Sequence, residues 1–263
     1  MGGDVAVITL TSDFGYRDGY VGAMKGVIAT IAPEARIMDI AHDVPMQDVV
    51  HGAFVLAQAV PFFPAGTIHV GVIDPGVGGN RKPICVCADG QLFVGPDNGL
   101  FAVCAHQSKK WAAHQLTHAE YFRPDVSRTF HGRDIFAAVA AHLARGVPLE
   151  ALGPSFPNPL PLELPQLTTD DTSIVGEVIY IDHFGNAITN IRRENLPSAK
   201  PRILRLLAGG REIAGVVETY EDVAHGAALA LIDSAGLLEI AIRDGRAARE
   251  LDLHRGSPVV VHP

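Results

Sequence analysis

Apolar positions follow two different rhythms along this chain, and the change from one to the other is its main organisational signal. Residues 5–10, 36–40 and 67–73 are apolar runs of strand length. Between them, residues 19–32 carry Val21, Met24, Ile28 and Ile31 at helical spacing, and residues 47–60 put Val50, Phe54, Ala57 and Val60 on one face. Residues 84–88 and 91–94 flank Asp89-Gly90, a hairpin signal. A further helix is expected over residues 132–144, closed by Gly146 and Pro148. Strands alternating with helices predict an α/β layered domain.

Residues 154–165 break this rhythm with five prolines in twelve residues, a composition that favours an extended, semi-rigid spacer. Beyond it, residues 174–181, 202–207, 212–217, 228–232, 237–242 and 258–261 read as short strands, with a turn at Gly209-Gly210 and little of helical period. The expectation is an α/β N-terminal domain over residues 1–165, including the Pro-rich linker, and a smaller all-β, barrel-like C-terminal domain over residues 166–263.

Composition adds exclusions. With 48% apolar and 19% charged residues in 263, the chain is expected to be globular with a substantial core. A net charge of -8 argues against a nucleic-acid partner and is compatible with a cationic substrate. Cys85, Cys87 and Cys104 match neither a redox nor a zinc spacing, and are expected to be reduced core or strand residues. The N-terminus has no basic segment before its short apolar run, and no stretch approaches a membrane span. A cytoplasmic protein without a membrane partner is expected.

Two glycine-containing stretches carry the candidate chemistry. Asp74-Pro-Gly-Val-Gly-Gly-Asn-Arg81 follows a strand and places a carboxylate and a guanidinium at the ends of a turn; Thr129-Phe-His-Gly-Arg-Asp134 puts His131 at a loop-to-helix junction. Together Asp74, Arg81 and His131 can activate water: acid and imidazole handle the proton, and the guanidinium holds charge. The first stretch lacks the ending of a phosphate loop, and a tight turn with a surface Asp–Arg pair would read the same way. His131 alone, like His42, His51, His69 and His183, would more often be structural. No His/Cys pattern points to a metal. Asp13, after the first strand, can accept hydrogen bonds from a ribose diol or cap a helix. Phe184 and Asn186, in Asp182-His-Phe-Gly-Asn186, can stack on and hydrogen-bond a purine, or form an ordinary turn. Asp233-Ser-Ala-Gly236 carries a similar ambiguity.

In combination these segments closely resemble the S-adenosyl-L-methionine (SAM) hydroxide adenosyltransferases, the adenosine-forming SAM hydrolases related to the fluorinase and chlorinase enzymes. The resemblance runs through Thr9-Leu-Thr-Ser-Asp-Phe-Gly15, Asp74-Pro-Gly-Val-Gly78, Gly95-Pro-Asp-Asn-Gly99, His131-Gly-Arg-Asp134, Asp182-x-Phe-Gly-Asn186 with Thr189-Asn190, and Ser234-x-Gly-Leu-Leu-Glu-Ile-Ala241. It implies a water-activating triad of Asp74, Arg81 and His131 and ribose binding by Asp13. It implies adenine binding by Phe184 and Asn186, with a backbone contribution from Ala247, and binding of the methionine end by Asp182 and Ser234. SAM is then the substrate, no cofactor or metal is needed, and the assembly is a homotrimer with active sites between subunits. The family further suggests the (R)-sulfonium epimer. The halogenating relatives carry tyrosines at the positions of Asp74 and His131 and a halide-binding serine at Gly132, so halogenation is disfavoured here. Gly79, where a hydroxyl residue is common, and Gln47, where halogenating relatives carry Trp, depart from the pattern. A non-catalytic adenosine- or SAM-binding module is the alternative reading, with a metal-dependent hydrolase behind it.

The resemblance also sets the expected chemistry. Attack at C5′ expels a neutral thioether, so only the nucleophile needs help; Asp74 and His131 are expected to share its proton while Arg81 orients the carboxylate.

Overall fold

The apolar run after residue 5 forms β1 (Val7–Ser12), buried from Ile8 onward. In this computed structural model, which describes residues 5–170, 172–197 and 204–262, β1 lies between β2 (Arg36–Ala41) and β3 (Ile68–Val72) and is parallel to both. The sheet continues through β4 (Pro83–Ala88), β5 (Gln91–Pro96) and β6 (Trp111–Gln115) in the order β2-β1-β3-β5-β4-β6. β5 is parallel to β3, and β4 is antiparallel to both its neighbours. The hairpin at Asp89-Gly90 has positive φ at both residues, 46° and 81°, which is the backbone that two-residue turn needs.

Helices cover both faces of this sheet. α1 (Tyr20–Ile31) and α4 (Ala138–Ala144) pack Met24, Ile28 and Val139 against Ile8, Leu10, Val70 and Val72. α2 (Val49–Ala59) and α3 (Ala102–Gln107) pack Ala53, Leu56 and Val103 with Phe93, Val86 and Ile73. Successive residues Phe93 and Val94 belong to different cores, as the alternation of a strand buried on both sides requires. Cys85 and Cys104 are buried, Cys87 is half-buried, and all three are free thiols.

Three local features depart from the sequence reading. The helix expected from residue 47 begins at Val49, because the Asp48 carboxylate accepts the His51 N–H and caps it there. Gln47 is outside the helix with φ of 65°. The helix expected over 132–144 opens as a π-helix, Gly132–Ala137, before α4. The short α3 and β6 had no clear periodic signal.

The chain divides into two compact units, one running to Glu163 and the other from Leu164. The second is a nearly closed antiparallel sheet of eight strands. Its path is β11 (Arg211–Ala214), β10 (Arg205–Ala208), β14 (Pro258–His262), β8 (Ile174–Ile181), β9 (Ala187–Arg192), β13 (Leu237–Ile242) and β12 (Ala228–Ile232), with β7 (Thr168–Thr169) against β8. A bridge between Val217 and Leu231 draws the two path ends together. Its core gathers Val178, Ile191, Leu206, Leu238, Ile240 and Val259. Neither β9 nor the one-turn helix α5 (Ala247–Glu250) is among the elements expected from the sequence. Of the strand expected at 202–207, residues 202 and 203 lie outside the described residues.

Candidate active site

The chain leaves β1 for β2 and then returns to β3 on the other side of β1. In a parallel sheet this reversal opens a crevice at the carboxyl ends of the two inner strands, where ligands bind. Asp13 directly follows β1, and Asp74 follows β3. The switch of strand order therefore places both carboxylates at the crevice.

Arg81 is returned to Asp74 by successive turns, closed by Val77 N–H to the Asp74 carbonyl at 3.2 Å and Gly79 N–H to the Gly76 carbonyl at 3.0 Å. The Asn98 side chain steadies the end of β3 by donating to the Ile73 carbonyl at 2.8 Å. Arg81 Nε donates to both Asp74 oxygens, at 2.9 and 3.0 Å, and its Nη2 also donates to Oδ2. The same Nη2 donates to His131 Nδ1 at 2.7 Å. Asp74 and Arg81 side chains are only 5% and 10% exposed, so this is not the weak surface pair that the turn alone allowed. The Arg81 guanidinium also lies 5.3 Å from the centre of the Phe136 ring.

His131 arrives from a loop pinned at both ends. Gly78, with φ of 73°, lets the 74–81 turn touch the 128–131 loop: a Cβ there would fall 2.2 Å from the Arg128 carbonyl oxygen. Beyond His131, the fully buried Asp134 carboxylate accepts the Ser127 N–H at 2.9 Å and Arg133 Nε at 2.6 Å, with Arg123 at 3.3 Å. Burial pushes the Asp134 carboxyl up, but the hydrogen bonds from Arg133 and Ser127 outweigh it and hold it below its ordinary range. For His131, burial and then the Arg81 charge depress the imidazole, against the opposing pull of Asp74 and Asp134. The ring is thus neutral near pH 7. Since Nδ1 accepts from Arg81, its proton sits on Nε2.

A cavity of about 360 Å³ is lined by Asp13, Asp74, Gln47, Phe130, His131 and Gly132, among others. Asp13 Oδ2 accepts the Gln47 N–H at 2.8 Å, which ties the carboxylate to the left-handed residue before α2. Phe14 and Tyr20 each meet Phe130 edge-on and each other at a tilt, with ring centres 5.1 to 5.8 Å apart. Ser12 Oγ lies 2.6 Å from His42 Nδ1, and His42 Nε2 lies 3.2 Å from Asp39 Oδ1, off the line of a hydrogen bond. This resembles a hydrolytic triad in residue type only. Ser12 is completely buried, so it secures the turn into Asp13 and cannot meet a substrate.

The remaining candidates lie in the second unit. Asp182 ends β8 and holds the turn to β9: its Oδ1 accepts the Asn186 N–H at 2.8 Å, and its Oδ2 the Asn186 side-chain amide at 3.1 Å. Asn186 is buried, while Phe184 is 71% exposed and meets the His183 ring edge-on with ring centres 5.6 Å apart. The Gly185 carbonyl accepts the Ala248 N–H at 2.8 Å, which brings the 182–186 turn beside α5 and Ala247. The Ala247 carbonyl already accepts from Leu251. Ser234 is exposed in the β12–β13 turn, which Asp233 holds by accepting the Ala235 and Leu237 N–H groups at 2.8 Å each.

The structure therefore joins Asp74, Arg81 and His131 directly and puts Asp13 on the same cavity. Asp182, Phe184, Asn186 and Ala247 form a second group. Sequence reading missed the Asp134 brace, the Gln47 N–H on Asp13, the Ser12–His42 tie and a buried Glu239. Asp134 lies in the same segment as His131, but nothing in its spacing marks it as buried. Among the described residues, no group of three or more His, Cys, Asp or Glu side chains is placed to hold a metal, and no helix is long and apolar enough to cross a membrane.

Fold and site define a protein with an α/β unit, carrying an acid–guanidinium–imidazole cluster at a strand switch point, and a β-barrel-like unit. The chain belongs to the SAM hydroxide adenosyltransferase family: the N-terminal domain of that family matches residues 8–153 and its C-terminal domain residues 176–260. It is 44% identical over 252 residues to the (R)-S-adenosyl-L-methionine hydrolase of Salinispora tropica, covering 95% of each chain. A fluorinase from Nocardia brasiliensis is more distant, at 28% identity over 290 residues, covering 97% of this chain and 96% of that one. The crystal structure of an uncharacterized conserved protein from Thermotoga maritima superposes with a TM-score of 0.90 at 36% identity, covering 97% of this chain and all of that one.

Proposed function

We propose that this protein hydrolyses SAM to adenosine and L-methionine by attack of water at C5′, with the (R)-sulfonium epimer as its preferred substrate. The observation that carries the reading is the Arg81 guanidinium joined to both Asp74 and His131 beside a cavity at the switch point. The names of the Salinispora relative and of a 39% identical relative from Thermus thermophilus support the substrate and the epimer.

In this mechanism Asp74 accepts the proton of the attacking water. A carboxylate has more lone-pair positions than the Arg81 contacts use, so one remains for water. His131 presents Nε2–H toward the water and fixes its position, so proton handling is divided and not shared equally. Arg81 holds both groups in register and offsets the hydroxide character that develops. Methionine departs as a neutral thioether, and the balance is SAM cation plus water giving adenosine, methionine and one proton. Attraction between a sulfonium and a nascent hydroxide grows where water is excluded.

Asp13 takes the ribose hydroxyls; Phe184, Asn186 and the Ala247 backbone take adenine; Asp182 and Ser234 take the methionine end. The enzyme needs no metal or cofactor, and works as a cytoplasmic homotrimer whose sites form between neighbouring subunits. The three free thiols are in keeping with a reducing compartment.

Incubating the purified protein with each SAM epimer in turn, with and without a chelator, and separating the products tests the reading. Adenosine and methionine in equal amounts from the (R)-epimer, unaffected by the chelator, are expected. Tight SAM binding without adenosine release would mark a binding module instead.

A further inference from the structure

Glu239 is a buried acid that the proposed chemistry leaves unused. It lies on β13, opposite Ile188 of β9 and Leu231 of β12, and is 3% exposed. Its neighbours in sequence, Leu238 and Ile240, belong to the barrel core. Glu239 therefore points to the other face of the sheet, as strand alternation requires. On that face the Tyr220 hydroxyl donates to Glu239 Oε1 at 2.8 Å. Among the described residues nothing else bonds its carboxylate, and no Lys or Arg pairs with it.

Among the described residues, the charges acting on this group are negative. Burial first, and then Asp182 and Asp233, push the Glu239 carboxyl up to about 7, against the Tyr220 hydrogen bond. Tyr220 is itself pushed above its ordinary value by burial, by Glu239 and by the same two aspartates. The strand register agrees: Glu239 pairs with Leu231 and with Ile188, and Ile188 pairs with Tyr180. Asp233, two residues beyond Leu231, and Asp182, two residues beyond Tyr180, therefore follow on the same side of the sheet as Glu239, in the two turns assigned to the methionine end. Asp182 is met by Asn186 and Asp233 by backbone N–H groups, neither of which is a cation. A buried acid without a counter-charge costs stability, and a bound cation placed nearby offsets that cost.

We propose that Glu239, held by Tyr220, is a specificity-determining positioning residue that selects substrates carrying a free α-ammonium group at the methionine end. The proposal rests on the hydrolase reading and deepens it. Asp182 touches the ammonium; Glu239 acts through the field it adds behind Asp182. A sulfonium ligand without the amino group keeps only the pull on its sulfur and loses the pull on the ammonium.

The test compares wild type, Glu239→Gln and Tyr220→Phe on three substrates: SAM, its analogue lacking the α-amino group, and its analogue lacking the α-carboxylate. Measured above pH 7, where Glu239 is ionised, Glu239→Gln should raise KM for SAM and for the decarboxylated analogue roughly tenfold, with kcat within about twofold and a rise of no more than about threefold for the deaminated analogue. Tyr220→Phe should give the same pattern more weakly, and serves alone if Glu239→Gln does not fold. An unchanged KM for SAM, or an equal rise for all three substrates, would overturn the proposal. If wild type released no adenosine, the hydrolase reading would fall instead. Calorimetric affinities for SAM and the deaminated analogue would then decide the role of Glu239 separately, an equal loss for both refuting it.

Discussion

Arg81 donates from Nη2 to Nδ1 of His131 at 2.7 Å, although the two residues stand fifty positions apart in the chain. This contact fixes the imidazole tautomer and separates the roles of the three polar residues. With Nδ1 occupied, a neutral His131 has only an N–H to offer the cavity. Proton acceptance then falls to Asp74, whose two oxygens Arg81 already orients.

That division predicts unequal losses. Asp74→Asn should lower kcat by about a thousandfold or more, and His131→Ala by about a hundredfold, with adenosine binding retained in both. Steady-state rates and calorimetry with adenosine measure the two quantities. Turnover left intact in either variant would end the assignment of the triad.

Acid should inactivate the enzyme through His131. Its imidazole is depressed below the ordinary 6.5 by burial and then by Arg81. Protonation would remove the Nδ1 acceptor and set a second cation beside the guanidinium. The kcat/KM profile should therefore fall with decreasing pH around a midpoint below 6.5. The same shift makes the folded state a weaker proton binder than the unfolded chain, so the stability contribution of a neutral His131 is lost as pH falls through that region.

Asp134 should matter without touching the substrate. Replacing it by Ala leaves Ser127, Arg123 and Arg133 without their shared acceptor and frees the loop that carries His131. A loss of about 3 kcal/mol in stability is expected, measurable by denaturant unfolding. A marked loss of kcat should accompany it at temperatures where the variant remains folded.

Halide should not replace water. Gly132 has no hydroxyl, and a Cβ there would meet Val72 Cγ1 at 3.3 Å and Met24 Sδ at 3.4 Å, leaving little slack for a serine. Chromatography of reactions run in concentrated chloride or fluoride should show adenosine and no 5′-halogenated nucleoside.

Glu239 should give the substrate-free protein an unusual pH response. Its carboxyl is raised from 4.5 to about 7, so the folded state holds this proton more tightly than the unfolded one. Its contribution is fully present below 4.5 and disappears as pH rises through 7. Glu239→Gln should flatten that decline, by up to about 3 kcal/mol above pH 7, in denaturant titrations at several pH values.

Much of the architecture was legible because burial imposes periodicity. Burial on both faces gave β3, β12 and β13 their nearly continuous apolar runs, while β8 alternates buried and half-buried positions over its first half. Where elements were short, or shaped by a side-chain cap, the pattern misled. α3 has six residues, and α2 starts where Asp48 caps it and not where its apolar stripe begins. β9 was not expected, as polar Thr189 and Asn190 interrupt its apolar residues; inside the sheet, Thr189 donates to the Leu238 carbonyl at 2.8 Å and Asn190 to the Pro165 carbonyl at 2.9 Å.

The amino-acid sequence by itself determined the two kinds of unit, the strand ends on which Asp13 and Asp74 sit, and the residue types available to activate water, because each depends on neighbours close in the chain. Only the tertiary structure decided that Arg81 stands between Asp74 and His131, that Gln47 holds Asp13, and that Glu239 is buried beside Tyr220. Those relations depend on which strands lie side by side and how far water is excluded from them. Neither quantity is written in local spacing; both arise when segments distant along the chain pack together.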